Sequence, residues 1–524
     1  MWERLKTVRG QGRAAVRVVL SLSFVALAAL FLAACGGGGD DGGGDSSASL
    51  TGTGYPNGDL ANTRAADSEI KTTNVKGLEV AWTSPFKGEG AFGSFASSPV
   101  MDKGVVYIQD LGSNVQAIDQ ATGEVLWTKA YEEATFGPNG VAVADGRVYG
   151  ATGSAAFALD QKTGKELWSV PLTRNPQEGI NIAPGAYKGV VYVSTTPVNA
   201  GSLYEGGAVG ILWALDGKTG KKLWSWDTVP KSLWGDPKTN SGGGLWYTPA
   251  FDDKGFMYFG VGNPAPFPGT PQEPYGESRP GPNLYTNSIV KMNAKTGKME
   301  WYYQFNPHDI YDWDLQGPPM LVKSKGRELV VVPGKVGYVV AVDAKNGKPV
   351  WKRAVGVHNG HDNDGLYAMR GEYDRIKKGT VYPGILGGVI APGATDGTNV
   401  FVPVVNGPAE AISGSETGES AGVAPGGEIV ALDVATGQIQ WKHKFPTAPA
   451  YGATTVVNDL VFVTTGDGKV HGFDTSSGRL AWQESLPAGT NAGVMADGDT
   501  LVAGAGLLSA EGQTPELVAY SLGE

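Results

Sequence analysis

Residues 157–168 read FALDQKTGKELW, and the reading of this string decides the fold. Alternating apolar residues make one strand, and Asp160 caps its end. Thr163 and Gly164 supply a tight turn with its residue at positive φ, and a second strand carries Trp168. The same pattern recurs as VQAIDQATGEVLW (115–127), WALDGKTGKKLW (213–224), VKMNAKTGKMEW (290–301), VAVDAKNGKPVW (340–351), VALDVATGQIQW (430–441) and HGFDTSSGRLAW (471–482). A degenerate copy, LEVAW, ends at Trp82. Upstream of each copy lies another hairpin, such as VVYIQD (105–110) or LVFVTT (460–465), so one unit has four strands. Units spaced by about 40 to 90 residues are the period of propeller blades with some long loops. The recurrent tryptophan is expected to pack between neighbouring units and to find a partner for its indole N–H.

The two ends of the chain complete each other. After Trp482 come NAGVMAD (491–497), TLVAGA (500–505) and ELVAYSL (516–522), three strands of a unit without its tryptophan strand. LEVAWTSP (78–85) is a tryptophan strand without a unit. Joining them removes a sheet edge. The expectation is an all-β, eight-bladed β-propeller of four-stranded antiparallel blades, its ring closed by N- and C-terminal strands in one blade. Two smaller propellers or an open array are the alternatives.

Composition agrees. The 524 residues include 79 glycines, as turn-rich β structure requires, and only 18% are charged. The formal net charge is −10, and setting aside the basic leader (Arg4, Lys6, Arg9, Arg13 and Arg17 against Glu3) leaves a body near −14. Such a body argues against nucleic acid as a partner. The single cysteine, Cys35, permits neither an intrachain disulfide nor a Cys-x-x-Cys-His haem attachment.

Residues 1–35 read as an export signal. A basic stretch precedes the apolar run Val18 to Ala34 and then Leu32-Ala33-Ala34-Cys35, which resembles a bacterial lipobox whose cysteine is lipidated. A transmembrane helix is the alternative, since the run of 17 residues just reaches the necessary length. Residues 36–54, nearly all Gly, Asp, Ser and Thr, form a flexible tether, and 55–524 form the propeller. The protein is therefore expected outside the cytoplasm, held to a membrane by lipid.

The long intervals Trp224–Trp301 and Trp351–Trp441 are where a site is expected, because loops on a rigid scaffold carry function. The first holds SGGGLW (241–246), GNPAP (262–266) and RPGPN (279–283), and PHDIYDWD (307–314) follows it. With the repeats, these strings resemble the quinoprotein alcohol and methanol dehydrogenases, from about Asn57 to the C-terminus. The resemblance implies pyrroloquinoline quinone and Ca²⁺ on the propeller axis, an alcohol or sugar substrate, and an external electron acceptor. It places Glu205, eleven residues before Asp216, and Asn263 as Ca²⁺ ligands. Ser202, Trp246, Lys335 and Asn406 fall at cofactor contacts, with Trp246 as the floor under the ring. Hard oxygen donors suit Ca²⁺, and a flat aromatic with a cation suits a planar anionic quinone.

Three positions depart from the family pattern. Pro282 stands where the family has its aspartate base, Ala96 where it has a cofactor-binding glutamate, and no vicinal cysteines occur near Pro138-Asn139-Gly140. No catalytic residue is therefore assigned. The His308, Asp309, Asp312, Asp314 string reads as framework, and His358, His361, Asp362 and Asp364 have metal-ligand types in a loop whose spacing fixes little. Two functions follow: a quinone-binding dehydrogenase-like lipoprotein, or a non-catalytic propeller lipoprotein that serves as an interaction or assembly platform.

Overall fold

The repeat turn folds for the reason its residues predict. Asp160 Oδ1 accepts the Thr163 amide at 2.9 Å and the Thr163 hydroxyl at 2.8 Å, and Gly164 takes φ +68°. The tryptophan of the preceding sheet covers that glycine: a Cβ there would lie 2.6 Å from the Trp127 ring. Trp127 then donates its indole N–H to the Gln161 carbonyl at 3.1 Å. Trp82 over Gly123, Trp168 over Gly220, Trp301 over Gly347, Trp351 over Gly437 and Trp441 over Gly478 repeat the contact, each indole donating to the carbonyl that follows the turn's Asp. Trp224 covers Gly297, but its indole has no hydrogen-bond partner among the described residues, and the corresponding Ala294 carbonyl accepts from the Tyr192 hydroxyl (2.9 Å).

The computed structural model describes residues 54–419, 425–508 and 512–523; Cys35, the leader and the tether up to residue 53 lie outside them. The fold is an all-β propeller of four-stranded antiparallel sheets. One sheet runs Val100–Asp102, Val105–Gln109, Val115–Asp119, Val125–Lys129, and the next Ala142–Ala144, Arg147–Ala151, Ala155–Asp160, Glu166–Pro171. The pattern continues to Thr455–Val457, Leu460–Thr465, Lys469–Asp474, Leu480–Ser485. In the last sheet Met495–Asp497, Thr500–Ala505 and Glu516–Leu522 take Leu78–Pro85 as their fourth strand, with Leu78 opposite Leu522 and Trp82 opposite Ala519. The pairing expected between LEVAW and ELVAYSL is thus made.

A bulge precedes each tryptophan: Trp127 faces Ala117 while Val125 faces Ile118, so Leu126 is the extra residue, half exposed. The bulge re-aims the indole onto the next turn. Between sheets the inward positions are closed; Phe157, Phe401 and Phe462 are fully buried, each removal from water contributing about 1.5–3 kcal/mol. Among the described residues no helix is long and apolar enough to cross a membrane.

Candidate cofactor site

The segments that lead into the first strands of the sheets converge. Ser98, Asn139, Ala183, Thr248, Gln316, Pro392, Ala453 and Gly493 each stand a few residues before such a strand, and together they line a cavity of about 220 Å³. Longer loops complete its wall with Trp246, Asp312, Asp314, Lys335, Arg64 and Tyr204.

Lys335 occupies the turn between strands Arg327–Gly334 and Tyr338–Asp343, which carries its buried ammonium to the two aspartates. Its Nζ forms an ion pair with Asp312 and lies 3.5 Å from Asp314 Oδ2. Asn263 ties the carboxylates together, donating Nδ2–H to Asp312 Oδ1 (2.8 Å) and its amide N–H to Asp314 Oδ1 (2.6 Å). Burial raises the pKa of both acids, Asp314 to about 7, against the lowering pull of the Lys335 charge. Burial opposes the charge of Lys335, but the facing carboxylates outweigh it and hold its pKa above the usual value. The ammonium therefore keeps its proton, and the acids, Asp314 above all, hold theirs to higher pH than a free carboxyl does.

Arg64 is the second cation of the wall. It is 1% exposed and donates to the Thr454 carbonyl (2.7 Å), Ser98 Oγ (2.7 Å) and Thr455 Oγ1 (2.9 Å). Burial lowers its pKa to about 10, so it stays charged at neutral pH, and its hydrogen-bond acceptors among the described residues are neutral oxygens.

Trp246 and Lys335 thus reach the cavity, as do Ala96, Pro138 and Asn139 at positions where the family pattern is broken. Asn263 stands one layer behind, holding Asp312 and Asp314. Glu205 is exposed and does not line the cavity, although its neighbour Tyr204 does. Asn406 lies outside the cavity lining and accepts the Val357 amide at 3.0 Å. Pro282 is exposed and likewise outside the lining. Ser202 closes a short 3-10 turn, Ala200–Ser202, and its side chain lies outside the described ones. Among the described residues no three His, Cys, Asp or Glu side chains gather to hold a metal ion.

Sequence reasoning missed Asp312 and Asp314 as cavity residues. Asp309 is framework as expected, accepting the amides of Tyr311 (3.1 Å) and Trp313 (2.7 Å). Asp312 and Asp314 lie outside any strand and Asp312 takes φ +62°, so a left-handed turn rather than strand alternation brings both carboxylates to Lys335, while Trp313 donates to the Pro383 carbonyl at 3.0 Å. His358 and His361 are bound to nearby acids rather than gathered on a metal: each ring meets a carboxylate, Asp362 and Asp364 respectively, at 2.6 Å.

A family profile described as the glucose/ethanol/alcohol dehydrogenase β-propeller domain matches residues 55–143 and 176–355, about half of the chain. A second, described as outer membrane protein assembly factor BamB, matches 111–238 and 387–522. The chain is 27% identical over 506 residues to quinohemoprotein alcohol dehydrogenase ADH IIB of Pseudomonas putida, covering 82% of this chain and 68% of that one. It is 28% identical over 504 residues to the quinohemoprotein alcohol dehydrogenase of Comamonas testosteroni, with the same coverage. The solved structure of the Comamonas testosteroni enzyme superposes with a TM-score of 0.76 at 24% identity, covering 91% of this chain and 82% of that one. On the profile match, the chain belongs to the glucose/ethanol/alcohol dehydrogenase family of β-propellers.

Proposed function

We propose that this protein binds a planar, anionic quinone of the pyrroloquinoline class in its central cavity and oxidises alcohols or sugars only weakly. The single observation that carries the reading is the meeting of Trp246 and Lys335 in one cavity wall. Trp246 offers an aromatic face, while Lys335 and Arg64 set two cations against Asp312 and a half-titrated Asp314. That wall suits a flat molecule bearing carboxylates. Such a quinone, when bound, accepts the two electrons of an alcohol oxidation.

The chain must then remove the hydroxyl proton. Pro282 offers no base, and it is exposed outside the cavity. Inside the cavity, Asp314, with a pKa near 7, is a group that exchanges a proton at neutral pH. Its oxygens already accept from Asn263 and face Lys335, so it is a poor substitute for a free base. General-base catalysis is worth about 10² to 10⁴ in rate, and most of that is forfeited here. The donors do not fit Ca²⁺: Glu205 is exposed and outside the cavity lining, and the Lys335 ammonium already sits between the two cavity carboxylates.

The remaining features of the reading are architectural. Eight sheets each contributing to one cavity, and the shared sheet of the two ends, support one closed eight-bladed ring. Cys35 carries lipid and holds the protein on the outer face of a membrane or in a periplasm, passing electrons to an external acceptor. A second reading, a non-catalytic assembly platform, is favoured by the second profile match and by the loss of the base at Pro282.

Dye-linked alcohol oxidation with added quinone tests the reading. Slow turnover by the native protein, abolished in Asp314→Asn and unchanged in Pro282→Asp, is expected. Vigorous turnover that survives Asp314→Asn would overturn it.

A further inference from the structure

The turn between the first and second strands of a sheet and the turn between its third and fourth lie at one end, because antiparallel strands alternate in direction. Backbone bonds tie the two together: the Gln161 amide donates to the Gly146 carbonyl at 3.1 Å and the Gly217 amide to the Gly189 carbonyl at 2.8 Å. The Lys335 turn, between a second and a third strand, and the segments that lead into the first strands place the cavity toward the other end.

Charge is divided unevenly around the turn end. QKTGK (161–165), GKTGK (217–221), AKTGK (294–298) and AKNGK (344–348) each carry two exposed lysines, and Lys188, Lys254 and Lys325 lie exposed in the companion turns. An aspartate heads three of these strings and Asn293 the fourth, so each string keeps a net positive charge. Asp145 and Asp253 are the exposed acids of the companion turns. The four strings are neighbours, since Trp168, Trp224 and Trp301 each cover the glycine of the following one. Among the described residues their lysines form no ion pair. Elsewhere on this end the strings read QATGE (120–124), VATGQ (434–438) and TSSGR (475–479), with Asp396, Asp459 and Asp499 in the companion turns and Lys103 and Arg479 as the cations. An acidic body thus carries a basic arc over four adjacent sheets. The chain enters the fold at the same end: the Gly54 carbonyl accepts the Val143 amide at 2.8 Å, and a Cβ there would lie 3.8 Å from Cβ of Asp102, the last residue of a first strand. The carbonyls of Leu60, Ala61, Thr63 and Arg64 then bond to four further first strands, which holds that entry in place.

We propose that this lysine arc docks on an anionic phospholipid surface and turns the Lys335 end of the propeller away from it. The inference rests on the reading of Cys35 as lipidated, and only residues 36–53 separate that cysteine from Gly54. Lipid alone holds a chain to a bilayer in any orientation, whereas charge gathered on one end selects one. The four strings hold no arginine and no aromatic residue. Lysines spread over a broad end are point charges suited to a diffuse array of headgroups, while a specific protein interface centres on aromatic or arginine anchors. Nucleic acid is repelled by the rest of the body, and no anchor brings it near. Substrate and electron acceptor then reach the cavity from the solvent side.

Co-sedimentation of full-length Cys35→Ala with vesicles reads the arc without the lipid. Binding to equimolar phosphatidylcholine and phosphatidylglycerol should exceed binding to phosphatidylcholine alone, and should fade between about 0.1 M and about 1 M salt as the screening length shortens. Adding Lys162→Gln, Lys218→Gln, Lys295→Gln and Lys345→Gln should weaken it at least about tenfold, since one lysine near such a surface is worth about fivefold. Lys87→Gln, Lys377→Gln, Lys378→Gln and Lys444→Gln, outside the arc, should leave it nearly unchanged. The basic leader is common to every variant, so the difference belongs to the arc. In the lipidated native background, a fluorophore on Lys221→Cys should be quenched by spin-labelled lipid and one on Lys378→Cys should not. Equal quenching at both positions, or an arc variant that binds as its parent does, would overturn the proposal. So would tighter binding to heparin or double-stranded DNA than to the vesicles. Native protein without lipid, beside a Cys35→Ala protein that binds through its lysines, would defeat the anchor and keep the arc. Lipidated native protein with an indifferent arc would do the reverse.

Discussion

Lys335 Nζ lies 3.5 Å from Asp314 Oδ2, and both side chains are almost completely buried in the cavity wall. With Asp312 on the other side, the ammonium is the positive centre on which the candidate site is built. A buried charge retained beside a cavity is costly unless it is paired, so each partner depends on the others.

Replacing the lysine makes that dependence measurable. Lys335→Met leaves two buried carboxylates facing each other, and truncating one partner of a buried pair costs about 3–5 kcal/mol. Urea unfolding should show a loss of that order. Adding Asp312→Asn and Asp314→Asn to Lys335→Met should recover much of it, because the uncompensated charges go too. A single variant as stable as the native protein would mean that the ion pair carries little.

The raised pKa of Asp314 has a pH consequence whose sign is fixed. Its folded pKa, near 7, exceeds the unfolded value of 3.8, so the folded state binds more protons between those limits. Stability from this group is present at low pH and is lost as pH rises through about 7. His471, lowered to about 4 chiefly by burial, works the other way as pH falls below 6.5, so the readout must be a difference. Native minus Asp314→Asn stability should decline from pH 5 to pH 8. A difference that is flat across that range would contradict the assignment.

The tryptophan-on-glycine contact predicts a local cost. Gly347 holds φ +70°, and an added Cβ would lie 2.6 Å from the Trp301 ring. Gly347→Ala combines a left-handed residue, about 1–2 kcal/mol, with overpacking of about 1–3 kcal/mol. Thermal unfolding should shift down accordingly. Gly326, also at positive φ but with open space around its Cβ position, should lose only the first contribution on substitution by alanine.

Joining of the chain ends is tested by truncation. Deleting residues 513–524 removes Glu516–Leu522 and exposes two strand edges, on Thr500–Ala505 and on Leu78–Pro85. The truncated protein should aggregate or unfold over a broadened transition. Unaltered melting of a soluble truncation would argue against a shared sheet.

The fold was legible because its signal is local and repeated: the Asp, the turn glycine and the tryptophan each do the job their chemistry predicts. The pairing of Leu78–Pro85 with Glu516–Leu522 was legible too, since each end lacked what the other carried. The site was legible only in part. Trp246 and Lys335 were found through motif strings and do line the cavity, whereas Glu205, matched by its spacing, and Asn406, matched through VVNG (404–407), lie outside its lining. Spacing along a loop does not fix where its side chains end. Asp312 and Asp314 read as framework because the whole string resembles the framework of related propellers, and the left-handed turn at Asp312 that brings them to Lys335 has no distinct sequence signal.

The central claim is that the cavity holds a quinone with Lys335, not Ca²⁺, as its positive centre. The most direct measurement is a tryptophan-fluorescence and absorbance titration with pyrroloquinoline quinone, in EDTA and in millimolar Ca²⁺. Saturable binding, equal in both buffers and lost in Trp246→Ala, is the predicted result. No binding in either buffer, or binding that appears only with Ca²⁺, would contradict it.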